Sequence, residues 1–173
     1  MAKGALVKIN EYTVSSAVAS FSLTGIDTTY THYILRLHGM KPSADEAIYG
    51  RFTESGTAND SANYDWATRY YKADTTHAFF QNENQTYILF TVTLESDTNA
   101  NANGQYYIMN AGNSAEYTFM TIDEAHWQSG GSLRGIKGSA SFTVTSAVDG
   151  IFLYLSGGGN FTAGKAILYA LKK

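Results

Sequence analysis

Apolar and polar residues alternate with a period of two along most of the chain. In "ASFSLTGI" (19–26), Phe21 and Leu23 stand against Ser20, Ser22 and Thr24. In "YTHYILRLHGM" (30–40), Tyr33, Leu35 and Leu37 fall on one face, and His32, Ile34, Arg36 and His38 on the other. Strand side chains alternate this way, so both segments read as strands. The same rhythm predicts strands in "AIYGRFTE" (47–54), "YDWATRYYKA" (64–73), "TYILFTVTLES" (86–96), "QYYIMN" (105–110) and "YTFMTIDEAHW" (117–127). It continues in "LRGIKGSASFTVT" (133–145), "GIFLYLSG" (150–157) and "GKAILYAL" (164–171). Between these runs lie clusters of Gly, Asn, Asp and Ser, which tolerate positive φ or cap their own backbone. No period of 3.6 runs over a helical length; residues 13–20 leave room for one short helical turn. The pattern predicts an all-β, single-domain antiparallel β-sandwich of about eight to ten strands, for which a jelly roll is the common arrangement. Residues 1–10 read as an N-terminal arm or edge strand, and residues 11–173 as the sandwich.

Composition narrows the picture. The 173 residues fit one domain, with 44% hydrophobic and 16% charged residues. Thirteen Tyr, nine Phe and two Trp favour pleated, half-buried surfaces. The net charge of −3 comes with no basic block, so no nucleic-acid partner is expected. No cysteine is present, which excludes disulfides and thiolate metal sites. The first ten residues carry no long apolar run and no cleavage pattern, so synthesis in a cytosol and no membrane insertion are expected.

Several stretches imitate chemical motifs. "GNFTAGKA" (159–166) has Gly159, four residues, Gly164 and Lys165. A phosphate loop needs Ser or Thr next, then a helix. Here Ala166 follows, and only eight residues come after Lys165. The stretch reads as a Gly-rich turn joining the last two strands. "DTNANANG" (97–104) places oxygen ligands at Asp97, Asn99, Asn101 and Asn103, as a calcium loop does. Counting from Asn99 puts Asn110 where the bidentate Glu belongs. One carboxylate among amides makes a feeble site, so the stretch reads as a mobile hairpin loop. His32 and His38 are six apart on one strand, roughly 20 Å, and cannot share an ion. Glu124 and His126 share a strand face, which suits a surface polar contact better than a metal site. No metal or cofactor is expected.

The carboxylates Asp45, Glu46, Glu54, Glu83, Glu95, Asp123 and Glu124 sit in no catalytic motif, and no serine has a nucleophile-elbow context. An enzyme is not expected; a sandwich hydrolase needs two carboxylates facing across a cleft. Aromatics cluster in "YDWATRYY" and "QYY". Trp66, Tyr70 and Tyr106 are the candidate contacts for a host-surface glycan or a partner. Tyr64, Trp66 and Tyr70 also share one alternating face, as core residues would.

Two stretches carry a resemblance. "FSLTGIDTTYTHYILRLHGMKPSADEAIYGRFTESGT" (21–57) resembles the opening of small virion proteins of tailed bacteriophages, including cyanophages and other marine phages. The matching positions are Ile26, Asp27, Tyr30, Tyr33, Arg51, Phe52, Gly56 and Thr57. "IFLYLSGGGNFTAGKAILYAL" is similar to their closing hairpin through Gly159, Asn160, Phe161, Gly164, Leu168 and Tyr169; Ala170 stands where a Gly is usual. The two stretches cover about a third of the chain. The resemblance implies a jelly-roll-like structural protein on the virion surface, with no catalytic residues carried over. It also implies a homo-oligomer, a trimer in first place, bound to the major capsid protein or to tail proteins. A capsid decoration (cement) protein is the first expectation, and a tail, knob or fibre component the second. A glycan-binding receptor-recognition module of a tail fibre is the alternative. Leu6, Val7 and Ile9 are the expected partner-docking residues, and loss of residues 1–10 is expected to abolish docking and leave a folded protein.

Overall fold

A computed structural model describes residues 5–74 and 77–171. Thirteen strands form two antiparallel sheets, and no helix occurs among the described residues. The strands are β1 (Leu6–Thr13), β2 (Ser20–Thr24), β3 (His32–Pro42), β4 (Ile48–Glu54), β5 (Thr57–Ala58), β6 (Tyr64–Lys72) and β7 (His77–Gln85). They continue as β8 (Ile88–Leu89), β9 (Ala102–Met109), β10 (Thr118–Gln128), β11 (Ser132–Phe142), β12 (Gly150–Leu155) and β13 (Phe161–Leu171). The large sheet runs β1-β13-β3-β9-β10-β11-β6-β7; the small one runs β2-β12-β4-β5, with β8 also on β4.

Eight of these strands have jelly-roll pairing. They are β1, β13, β3 and β9 in one sheet, and β2, β12, β4 and β8 in the other. The chain passes from sheet to sheet through β1–β4 and returns through β12–β13. Hairpins β6–β7 and β10–β11 then extend the large sheet past β9. That extension explains why the strand number exceeds eight to ten. The expected helical turn at 13–20 is instead a connection, tied to β13 by a bridge between Val18 and Phe161.

The core lies between the sheets. Tyr33, Leu35 and Leu37 of β3, Tyr106 and Ile108 of β9, and Met120 and Ile122 of β10 meet Leu23, Phe52, Ile151 and Leu153 of the small sheet's strands in one buried cluster. Aromatic contacts are frequent: Tyr64 stacks on Phe142 at 4.9 Å, and Phe90 lies 4.5 Å from Tyr106. Buried tyrosines keep their hydroxyls bonded. Tyr64 Oη accepts from the Phe52 N–H at 3.0 Å and donates to the Asn59 carbonyl at 3.0 Å. Tyr64→Phe therefore strands an N–H and a carbonyl, and should lower unfolding stability by about 2 kcal/mol. Urea titration of wild type and variant measures the difference; equal midpoints would contradict this role.

Candidate functional surface

The outer face of the large sheet is the surface on which candidate residues converge. Its register can be followed strand by strand. One row crosses the sheet as Phe79, Arg69, Lys137, Asp123, Gln105, Arg36, Ile167 and Glu11. The next row runs Gln81, Ala67, Ser139, Thr121, Tyr107, Ile34, Tyr169 and Lys8. A third holds Asp65, Ser141, Phe119, Met109 and His32. On the other side of the charged row lie Tyr71 and the directly opposed pair Trp127 and Leu133.

This face is rich in exposed apolar groups. Tyr71, Phe79, Tyr107, Phe119, Trp127 and Leu133 are each between 41% and 67% accessible. Four of them, Tyr71, Phe79, Trp127 and Leu133, form a patch at the β6–β7 and β10–β11 end. The Arg69 guanidinium lies 5.2 Å from the ring centres of both Tyr71 and Phe79. A cation over aromatic rings is attracted by their faces, and Tyr, Trp and Arg are the residue types enriched at interface centres. Beyond Trp127, a depression of about 660 Å³ is lined by Glu95, Asp97 and Asn99. In the charged row, Lys137 Nζ meets Asp123 Oδ2 at 2.8 Å. On the far side of that row, a groove of about 920 Å³ opens around Phe119, Met109, Thr121, Ser139, Asp65 and Gln81.

Of the expected glycan contacts, only Trp66 borders this groove. Trp66 and Tyr106 point inward and are buried, Tyr106 completely. Tyr70 lies on the inner face, under Arg134 at 4.0 Å and stacked on Phe80 at 5.1 Å. Period-two alternation places Tyr106 with Ile108 and Trp66 with Tyr64, so both rings face the interior. The expected docking residues sit in β1, which pairs with β13 from Leu6↔Leu171 to Thr13↔Lys165. Leu6 is exposed, Val7 is half-buried, and Ile9 packs against the core at the bulge between Lys8 and Asn10. Residues 6–10 are therefore part of the sheet edge, and their removal strips pairing from β13. Residues 1–4 lie outside the described residues.

The imitated motifs have structural explanations. The turn before β13 joins strands of opposite sheets, so it is a crossover. Its backbone does hold an anion, which is the chain's own Glu46. The Glu46 carboxylate accepts from the Gly157 N–H at 2.6 Å and the Gly159 N–H at 3.1 Å. A Cβ on Gly159 would lie 2.2 Å from Glu46 Oε1, so a larger residue there displaces the carboxylate. The Asn-rich stretch is also a crossover and not a hairpin loop. Ala100 and Ala102 are buried in it, and Asn103 Oδ1 accepts from the Gly39 N–H at 2.9 Å. Among the described residues, no group of three His, Cys, Asp or Glu converges to hold a metal ion.

Glu124 and His126 share a face, but it is the inner one. Both side chains are buried, and His126 Nδ1 lies 3.0 Å from the Glu124 carboxylate oxygens. Arg134, directly opposite His126, is buried with them. Burial pushes the Glu124 carboxyl well above its usual range, against the lowering effect of Arg134. Burial and the Arg134 charge hold His126 down at about 4. The pair is thus an interior contact rather than a surface one. Asp45 is likewise committed: it accepts from the Ser96 N–H and hydroxyl and from the Ser129 hydroxyl, which lower its pKa.

Residues of the 21–57 and 151–171 stretches hold the framework. The Asp27 N–H donates to Tyr33 Oη at 2.9 Å, and that hydroxyl donates back to the Asp27 carbonyl at 2.9 Å. The Arg51 Nε–H donates to the Thr86 carbonyl at 2.8 Å, and its guanidinium lies 4.8 Å from the Tyr154 ring centre. Phe161 is buried against Phe21.

No family profile and no curated protein matches the chain. One solved chain, from the structure of infectious bursal disease virus Gx strain, aligns at 11% identity with a TM-score of 0.19. The alignment covers 99% of this chain and 41% of that one. A likeness at this score carries no argument about fold or function.

Proposed function

We propose that the chain is a non-catalytic structural subunit of a tailed-phage virion, displayed on the particle exterior. A capsid decoration protein that stabilises the shell is the first form of this reading; a tail, knob or fibre component is the second. Support comes from the resemblance of the 21–57 and 151–171 stretches together with one structural observation. That observation is the patch of Tyr71, Phe79, Trp127 and Leu133, with Arg69 between two of its rings. Several large apolar side chains exposed on one sheet face suit a protein contact site. Its aromatic and Arg content suits the centre of an interface. In this reading the patch docks on a neighbouring virion subunit. Homo-oligomerisation, as a trimer, rests on the resemblance alone.

The patch side chains point outward, so they can be changed without disturbing the core. Trp127→Ser combined with Leu133→Asp should leave thermal unfolding nearly unchanged and abolish co-sedimentation with particles depleted of the wild-type chain. Binding of the double variant at wild-type strength would sink the docking role of the patch.

A further inference from the structure

The groove at the other end of the outer face is a separate feature. Phe119 and Trp127 are eight residues apart on one strand, roughly 27 Å. The charged row of Arg69, Lys137 and Asp123 runs between them. The groove volume of about 920 Å³ lies within the ~300–1,000 Å³ range of small-ligand sites.

Its chemistry is mixed in a particular way. The residues on its central strands are small: Ala67, Ser139, Ser141 and Thr121. This leaves the backbone surface low and the hydroxyls accessible. Phe119 lines one side, about half exposed, and no ring stacks on it among the described residues. Asp65, Gln81 and Glu83 line the opposite side. The side chains of Gln81, Thr121, Ser139 and Ser141 make no hydrogen bond among the described residues. Asp65 uses Oδ1 to accept from the Asn84 N–H at 2.8 Å, which fixes the carboxylate beside the groove.

We propose that this groove binds an uncharged oligosaccharide. A sugar ring presents a face of C–H groups that packs on an aromatic ring, here Phe119. Its edge carries neighbouring hydroxyls that both donate and accept. Carboxylates and amides such as Asp65, Glu83 and Gln81 bind such hydroxyls, and serine and threonine hydroxyls add further partners. The lining contains two carboxylates against a single histidine, His32, and no Lys or Arg. That composition repels phosphate and acidic sugars, so nucleic acid and sialylated glycans are poor fits. An all-apolar ligand would strand the hydroxyls of Ser139, Ser141 and Thr121. The inference rests on the groove and not on the virion reading: a chain absent from virions can still bind glycan, and a virion subunit can fail to.

The test is a printed array of uncharged and acidic oligosaccharides, probed with wild type, Phe119→Ala, Ser139→Trp and Trp127→Ser. Wild type should bind at least one uncharged oligosaccharide. Phe119→Ala should weaken that binding about tenfold, as expected for loss of one stacking contact. Ser139→Trp, which fills the groove, should abolish it, and Trp127→Ser should leave it unchanged. Thermal unfolding should be similar in all four proteins, because all three positions face solvent. Binding to no uncharged glycan, preference for acidic ones, or undiminished binding by Ser139→Trp and Phe119→Ala would overturn the proposal.

Discussion

Glu46→Ala should cost about 3 kcal/mol of unfolding stability, a large loss for a side chain at the edge of the sandwich. Its carboxylate is the acceptor for two backbone N–H groups of the β12–β13 crossover, at 2.6 Å and 3.1 Å. Hydrogen bonds to a charged acceptor contribute roughly 1.5–3 kcal/mol each. Glu46 also pairs through its backbone with Leu94, so it ties three segments together. Gly159→Ala should act through the same contact. The new methyl group would lie 2.2 Å from Glu46 Oε1 and push the carboxylate out. The double variant should then be only slightly less stable than either single variant, since both remove one interaction. Urea denaturation of the four proteins measures the coupling. Additive losses would show that Gly159 and Glu46 act independently.

The second large effect depends on pH. Glu124 and His126 ordinarily titrate at 4.5 and 6.5. Between those values the unfolded chain carries one proton on the pair, held by His126. Folding moves that proton towards the carboxyl, which is raised, and away from the imidazole, which is lowered to about 4. The raised carboxyl and the lowered imidazole therefore give opposed slopes that offset each other in this pair. Single variants expose the two opposed halves. In Glu124→Gln, only the depressed His126 remains. Its contribution is complete above 6.5 and is lost as pH falls towards 4, about 3 kcal/mol in total. In His126→Asn, only the raised Glu124 remains, so stability is complete below 4.5 and falls as pH rises. Urea midpoints at intervals from pH 4.5 to 6.5 should shift in slope relative to wild type in opposite directions for the two variants. Shifts of the same sign in both would contradict the shared proton.

Much of the fold could be read from the alternation of residues. β3 was legible to the face: Tyr33, Leu35 and Leu37 point in, while His32, Arg36 and His38 point out. β7 was not, because "HAFFQNENQ" is an edge strand with most of its side chains exposed, so no apolar period marks it. The 86–96 run failed for the opposite reason. Ile88 to Val92 are buried in succession, so the segment is enclosed on both sides and only Ile88–Leu89 pair as a strand.

The site was less legible than the fold. Trp66 and Tyr106 stood out as aromatics, but their alternation partners Tyr64 and Ile108 already marked an inward face. The same logic could have found Phe119 and Trp127, which alternate with Met120, Ile122 and His126. No local signal could have brought Ala67 and Ser139 beside Thr121, since that register depends on the packing of β6 onto β11. Alternation with Met120 and Ile122 also places Glu124 and His126 on the inward face, but their charge argues the other way, because charged residues on a strand ordinarily mark its solvent face.

We propose above all that this chain is a component of a virion. Its copy number in purified, washed particles, measured by quantitative mass spectrometry against the major capsid protein, tests that most directly. A stable presence is expected: hundreds of copies for a decoration protein, or a few to a few dozen for a tail or vertex component. Absence from the particles, with the chain abundant in the lysate, would contradict it.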